Sequence, residues 1–203
     1  MNKIQRSIEA VMAGTLQVER EPDYCLKLAR QVVENANGWK SGELYTRVNI
    51  WAHLTPANKR RAPAVPWARS LEQAFIDQRM TVPLGQVRAG DLVFSRLPAD
   101  EGHVGVVGLD AKGQPRVLEN ATVRRGVQLG GSVNWVPLEQ WGGLTTVGRL
   151  PDAWVLEADP VVVHGQPGTA EAERTVVRIF DPATNLQVGT GTLVADKVYV
   201  HPK

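Results

Sequence analysis

Apolar residues recur at helical spacing over the N-terminal part of the chain. Ile4, Ile8, Val11 and Met12, with Leu16 beyond them, mark one face of an opening helix that should stop near Gly14. A second stripe, Leu26, Ala29, Val32, Val33 and Ala36, predicts a longer helix. Its start is read at Glu21-Pro22-Asp23, because the N–H that proline lacks would be unpaired in a first turn anyway. Its end is read at Asn37-Gly38, a pair that tolerates left-handed backbone. Trp39, Trp51 and Trp67 then alternate with Pro56, Pro63 and Pro66, and only Trp67 to Met80 reads as helix before Gly85.

From Gly85 the period changes. Asp91–Ser95, His103–Leu109, Arg116–Asn120 and Val133–Val136 are short apolar runs bounded by Gly, Pro or Asp, the pattern of an antiparallel meander. Helices first and strands afterwards predict an α+β domain, residues 1–155, with N-terminal helices packed on an antiparallel sheet. Residues 156–203 are expected to form a small all-β appendage from Val161–His164, Thr175–Phe180, Val188–Val194 and Lys197–His201, marginal as a folding unit by itself.

Composition narrows the function classes. The 203 residues carry 23 Lys and Arg against 21 Asp and Glu, a formal charge of +2. That balance gives no reason to expect a nucleic acid or an anionic membrane as partner. No run reaches the roughly 18 apolar residues of a membrane span, and the N-terminus lacks the apolar core of a signal peptide, so synthesis in the cytoplasm is expected. A single cysteine excludes an internal disulfide and a Cys-rich zinc site together. Cys25 is therefore either a small core residue or a reactive thiol.

Cys25 is expected at about the third or fourth position of its helix, where unpaired N–H groups and the helix dipole favour a negative charge. Glu21 and Asp23 would oppose that effect if they face the sulfur, so a base is needed. His103 has the best setting: it opens a strand on which Gly105 and Val107 share its face, and the missing side chain at Gly105 leaves space before the ring. His53, His164 and His201 have no comparable setting. The following strand offers Glu119 and Asn120 to orient the imidazole, and since they point to opposite faces only one can do so. Asn120 is favoured, because a neutral amide suffices beside a thiolate. Trp135 and Trp141 are candidates to line a groove, and Arg124 with Arg125 to hold peptide carboxylates; the ordinary alternatives are buried rings and solvated loop arginines.

Taken together, Asp23-Tyr24-Cys25, Gly90-Asp91-Leu92-Val93-Phe94, Gly102-His103-Val104-Gly105-Val106-Val107 and Leu118-Glu119-Asn120 resemble the NlpC/P60 and CHAP group of papain-like cysteine peptidases, over roughly residues 15–150. The resemblance implies a papain-like fold and a hydrolase of peptidoglycan amide bonds, endopeptidase or amidase, working without metal or cofactor. Cys25 would be the nucleophile, His103 the base and Asn120 or Glu119 the orienter. The Cys25 N–H and the Tyr24 hydroxyl would face the oxyanion, with Trp135 and Arg124 on the substrate. The partner would be the peptidoglycan stem peptide. Action at the cell wall would follow from phage origin or from export by a non-classical route. Two alternatives stay open: a wall-binding or phage tail-assembly module of the same fold with an idle site, and a protein acyltransferase or deamidase. The appendage would bind another protein or the wall.

Overall fold

The structure, a computed structural model, describes residues 2–21, 24–60, 63–96, 101–121, 123–124, 127–128, 133–157, 175–180, 187–194 and 197–200. The chain separates into two compact units, Met1–Glu157 and Ala158–Lys203.

The first unit is α+β. Helix α1, Lys3–Met12, starts where the Asn2 side chain accepts a hydrogen bond from the Gln5 N–H at 3.0 Å. It buries Ile4, Ile8 and Val11, while Met12 turns outward. Helix α2, Cys25–Asn37, closes on Gly38 in left-handed backbone, φ 63°. Its beginning differs from the sequence expectation, because Cys25 is itself the first helical residue. The chain ahead of it is held to the sheet: Asn120 Nδ2 donates to the carbonyls of Glu19 at 3.3 Å and Glu21 at 2.8 Å. Those carbonyls are thereby unavailable to an earlier helical turn. Pro22 and Asp23 lie outside the described residues.

Three further helices follow: α3 at Glu43–Arg47, α4 at Pro56–Lys59 and α5 at Ala68–Asp77. The strands are β1 Thr81–Val82, β2 Leu92–Ser95, β3 His103–Leu109, β4 Pro115–Asn120, β5 Val123–Arg124, β6 Val127–Gln128, β7 Val133–Pro137 and β8 Leu144–Gly148, with α6 at Asp152–Val155 closing the unit. Six of them form one antiparallel sheet in the order β1-β8-β2-β3-β4-β7, and β5 pairs with β6 separately. The run from β2 to β4, continued by β7, is the expected meander. Strand β8 returns to the far side of β2 and carries β1 with it, which the apolar runs did not foretell.

Alternation along the strands divides the side chains between two cores. Leu92, Phe94, Val104, Val106 and Leu118 join the buried residues of α1, α2 and α5. Val93, Val107, Val117 and Val147 gather around Trp141 in a smaller cluster. No helix among the described residues is long and apolar enough to cross a membrane.

The second unit contains a three-stranded antiparallel sheet, β11-β10-β9, from β9 Thr175–Phe180, β10 Gln187–Val194 and β11 Lys197–Val200, with a register shift between Gln187 and Gly189. The expected strand at Val161–His164 lies outside the described residues.

Phe75 on α5 is fully buried and packs on Phe94 with ring centroids 5.8 Å apart. Truncation there opens a cavity between helix and sheet, so Phe75→Ala should cost about 3–5 kcal/mol of unfolding free energy. Denaturant titration checks this, and a loss below about 1 kcal/mol would contradict the packing described.

Candidate active site

Gly102 has φ +67°, a left-handed turn that an L side chain rarely adopts, and it feeds the chain into β3 so that His103 is the first strand residue. Helix α2 begins at Cys25. The His103 imidazole hydrogen-bonds the Cys25 side chain and, through Nε2, lies 2.7 Å from Glu119 Oε2. With Nε2 engaged by the carboxylate, Nδ1 is the nitrogen left to face sulfur.

Glu119 is fully buried on β4, opposite Gly105 of β3. Trp141, also buried, donates its indole N–H to the same Oε2 at 2.8 Å, and its ring stacks on His103 with centroids 5.6 Å apart and planes 24° apart. One tryptophan thus supports both the carboxylate and the imidazole. The space before His103 is not open, as the glycine had implied. A Cβ on Gly105 would stand 2.2 Å from Val117 Cγ1 and 3.6 Å from Trp141 Cζ2, so this glycine leaves the space that those side chains fill.

Burial works against a charged His103. The hydrogen bonds to Cys25 and Glu119 and the negative charge on both outweigh it, raising the imidazole from 6.5 to about 9. The ring stacked on Trp141 adds the attraction of a cation for an aromatic face.

Asn120, favoured as the orienter, does not reach the imidazole. Alternation points it to the opposite face of β4, where its amide holds the Glu19–Glu21 segment that leads to Cys25. The two neighbouring residues divide between the faces: Glu119 holds the His103 imidazole and Asn120 holds the segment that leads to Cys25. Glu19 is pinned from α2 as well, by Lys27 Nζ on Oε2 at 2.5 Å and by Gln31 Oε1 accepting from its N–H at 2.8 Å.

Cys25 opens onto a cleft of about 540 Å³ lined by Tyr24, Lys27, Arg30, Tyr45, Trp67 and Gly102 among others. Tyr24 sits just ahead of α2, its side chain 48% exposed on the rim, and its carbonyl accepts from the Leu28 N–H at 3.0 Å. The N–H groups of Cys25, Leu26 and Lys27 belong to the first helical turn, which has no carbonyl of its own to pair them.

Trp135 is not brought to this cleft. It pairs with Leu118 across β4 and β7 and so takes the helix-facing side of the sheet, lining a separate groove with Gln5, Ile8 and Met12. Arg124 falls on β5, and its side chain lies outside the described residues. Asp91 is structural, accepting from Arg88 N–H at 3.0 Å and from the Arg149 guanidinium at 2.9 and 3.1 Å. His53 is occupied elsewhere, with Nδ1 2.8 Å from Asp77 Oδ2.

Trp141 takes the buried place that was the ordinary alternative to a groove, and its bond to Glu119 had no signal in the spacing. A tryptophan beyond the last meander strand is a weak signal by itself, and the Gly105 opposite Glu119 would have been its only companion clue. Compared with protein-family models, curated proteins and solved structures, the chain gives no match.

A histidine held as imidazolium stabilises the folded chain fully below its ordinary value of 6.5, and that contribution disappears as pH rises through about 9. NMR titration should therefore find the His103 ring changing state near pH 9, and nearer neutrality in Glu119→Gln, which removes one of the supporting charges. A wild-type ring titrating at 6.5 would contradict the arrangement.

Proposed function

We propose that this chain is a cysteine hydrolase of the papain-like NlpC/P60 and CHAP kind, cleaving an amide bond in peptidoglycan peptides. The observation that carries the reading is the hydrogen-bonded run Cys25–His103–Glu119 ending at a cleft large enough for a peptide. A nucleophile, a base and an orienter in hydrogen-bonding sequence are the parts that acyl transfer from an amide requires. The narrower assignment to peptidoglycan rests on the resemblance of the Cys25, His103 and Glu119 segments to that group.

In this mechanism the Cys25 thiolate attacks the carbonyl carbon, and the negative charge passing to oxygen is met by N–H groups of the first turn of α2, that of Cys25 foremost. His103 gives its proton to the departing amine as the C–N bond breaks. It then takes a proton from water, whose oxygen attacks the thioester carbon, and the carboxylic acid leaves while the sulfur is restored. Glu119 keeps Nδ1 directed at the sulfur and compensates the imidazolium through both steps; the Trp141 N–H holds the carboxylate in place. Tyr24, exposed on the rim, is placed to contact substrate.

Mass spectrometry of purified peptidoglycan after digestion is the test, since the new end groups identify the bond. Wild type should release fragments ending in a new amine and a new carboxylate. Cys25→Ala and His103→Ala should lower the rate at least about a thousandfold, and Glu119→Gln by less. Full activity in Cys25→Ala would overturn the proposal. Binding to intact walls with no turnover would favour an idle module, and incorporation of a free amine into a protein substrate would favour an acyltransferase.

A further inference from the structure

Arg30 lies about one and a half turns along α2 from Cys25 and lines the same cleft. Its side chain is only 15% exposed, and its guanidinium carbon stands over the Tyr45 ring, 5.1 Å from the centroid. The nearest acid is Glu34, one turn further on, with Arg30 Nε 3.6 Å from Glu34 Oε2. That is an ion-pair separation too long for a hydrogen bond. Glu34 has another task, since its Oε1 accepts from the Leu44 N–H at 3.1 Å and fixes the start of α3.

Among the described residues the Arg30 guanidinium makes no hydrogen bond, and its Nε is buried. A planar cation with five donors is thus held in place by stacking and by its ion pair with Glu34, with its hydrogen-bonding capacity unused. The cation compensates the buried Glu34 carboxylate at ion-pair distance, and that pairing still leaves its hydrogen-bond donors unused. The charged groups lining the cleft are Lys27 and Arg30 against Glu101, a cationic balance. Lys27 is already paired with Glu19 at 2.5 Å, which leaves Arg30 as the cation whose hydrogen bonds are unmade.

We propose that Arg30 reads a carboxylate of the substrate, so that the cleft takes peptides bearing a free acid near the scissile amide and discriminates against their amidated forms. A carboxylate is the planar two-acceptor group that matches the guanidinium fork. This inference deepens the proposed hydrolase and rests on its cleft being the substrate site.

The test is equilibrium binding to Cys25→Ala, which removes turnover from the question. Calorimetry would compare a soluble muropeptide as the free acid with the same compound carrying its carboxylates as primary amides. The acid should bind roughly ten- to hundredfold more tightly, the ratio expected of a charge-assisted hydrogen bond. Adding Arg30→Gln should abolish that preference. Arg30→Lys, which keeps the charge and the stem, should retain only part of it, and this variant decides the matter if Arg30→Gln does not fold. Equal binding of acid and amide, binding of neither, or a preference untouched by Arg30→Lys would overturn the assignment. Loss of the hydrolase reading would look different: acid preference in Cys25→Ala with no fragments released by wild type.

Discussion

A carboxylate taken wholly out of water must be paired and hydrogen-bonded, or the fold loses several kcal/mol. Glu119 is that carboxylate, and the site is organised by its satisfaction. His103 and Trp141 both bond its Oε2, and the two rings stack on one another. Each partner needs a concession from the backbone. Gly102 turns the chain through left-handed space to set His103 at the start of β3, and Gly105 gives up its side chain so that Val117 and Trp141 can close over the strand. A buried ion pair of this kind is a poor source of stability. Its value lies in holding an imidazolium in one orientation with one nitrogen committed.

The two faces of the sheet then have separate duties. The helix-facing side carries the main core, in which Phe75, Phe94 and Leu118 set the distance between α5, α2 and the sheet. The other side carries the smaller cluster around Trp141 and the polar run that leads to Cys25. The end of β4 joins them. Glu119 serves one face and Asn120 the other, so a single strand terminus orients the His103 imidazole and anchors the segment from which α2 and its thiol emerge. That coupling ties the geometry of the Cys25 thiol to the packing of the sheet, although Cys25 and His103 come from distant parts of the chain.

Elements with a strong period were legible before the structure. The stripe of Ile4, Ile8 and Val11 is buried, α2 ends at the left-handed Gly38, and β3 spans His103–Leu109 as its alternation predicts. Three features escaped for physical reasons. Strand β8 reads as an ordinary polar stretch because Thr145 and Thr146 satisfy their hydroxyls on the buried Glu72, a long-range bond that sequence spacing does not show. The start of α2 was misplaced because Asn120, far along the chain, competes for the carbonyls of Glu19 and Glu21. The orienter was chosen by the chemistry of an amide against a carboxylate. The deciding factor was the face of β4, which depends on register with β3.

The account depends on the Cys25 sulfur and the His103 imidazole meeting beside an open cleft, and thiol alkylation probes that directly without any substrate. At neutral pH iodoacetamide should modify Cys25 of the folded wild type about tenfold or more faster than it modifies Cys25 in His103→Ala, since the imidazole beside the sulfur is the group placed to activate it. Equal rates in the two proteins, or a Cys25 that resists the reagent until the chain unfolds, would contradict it.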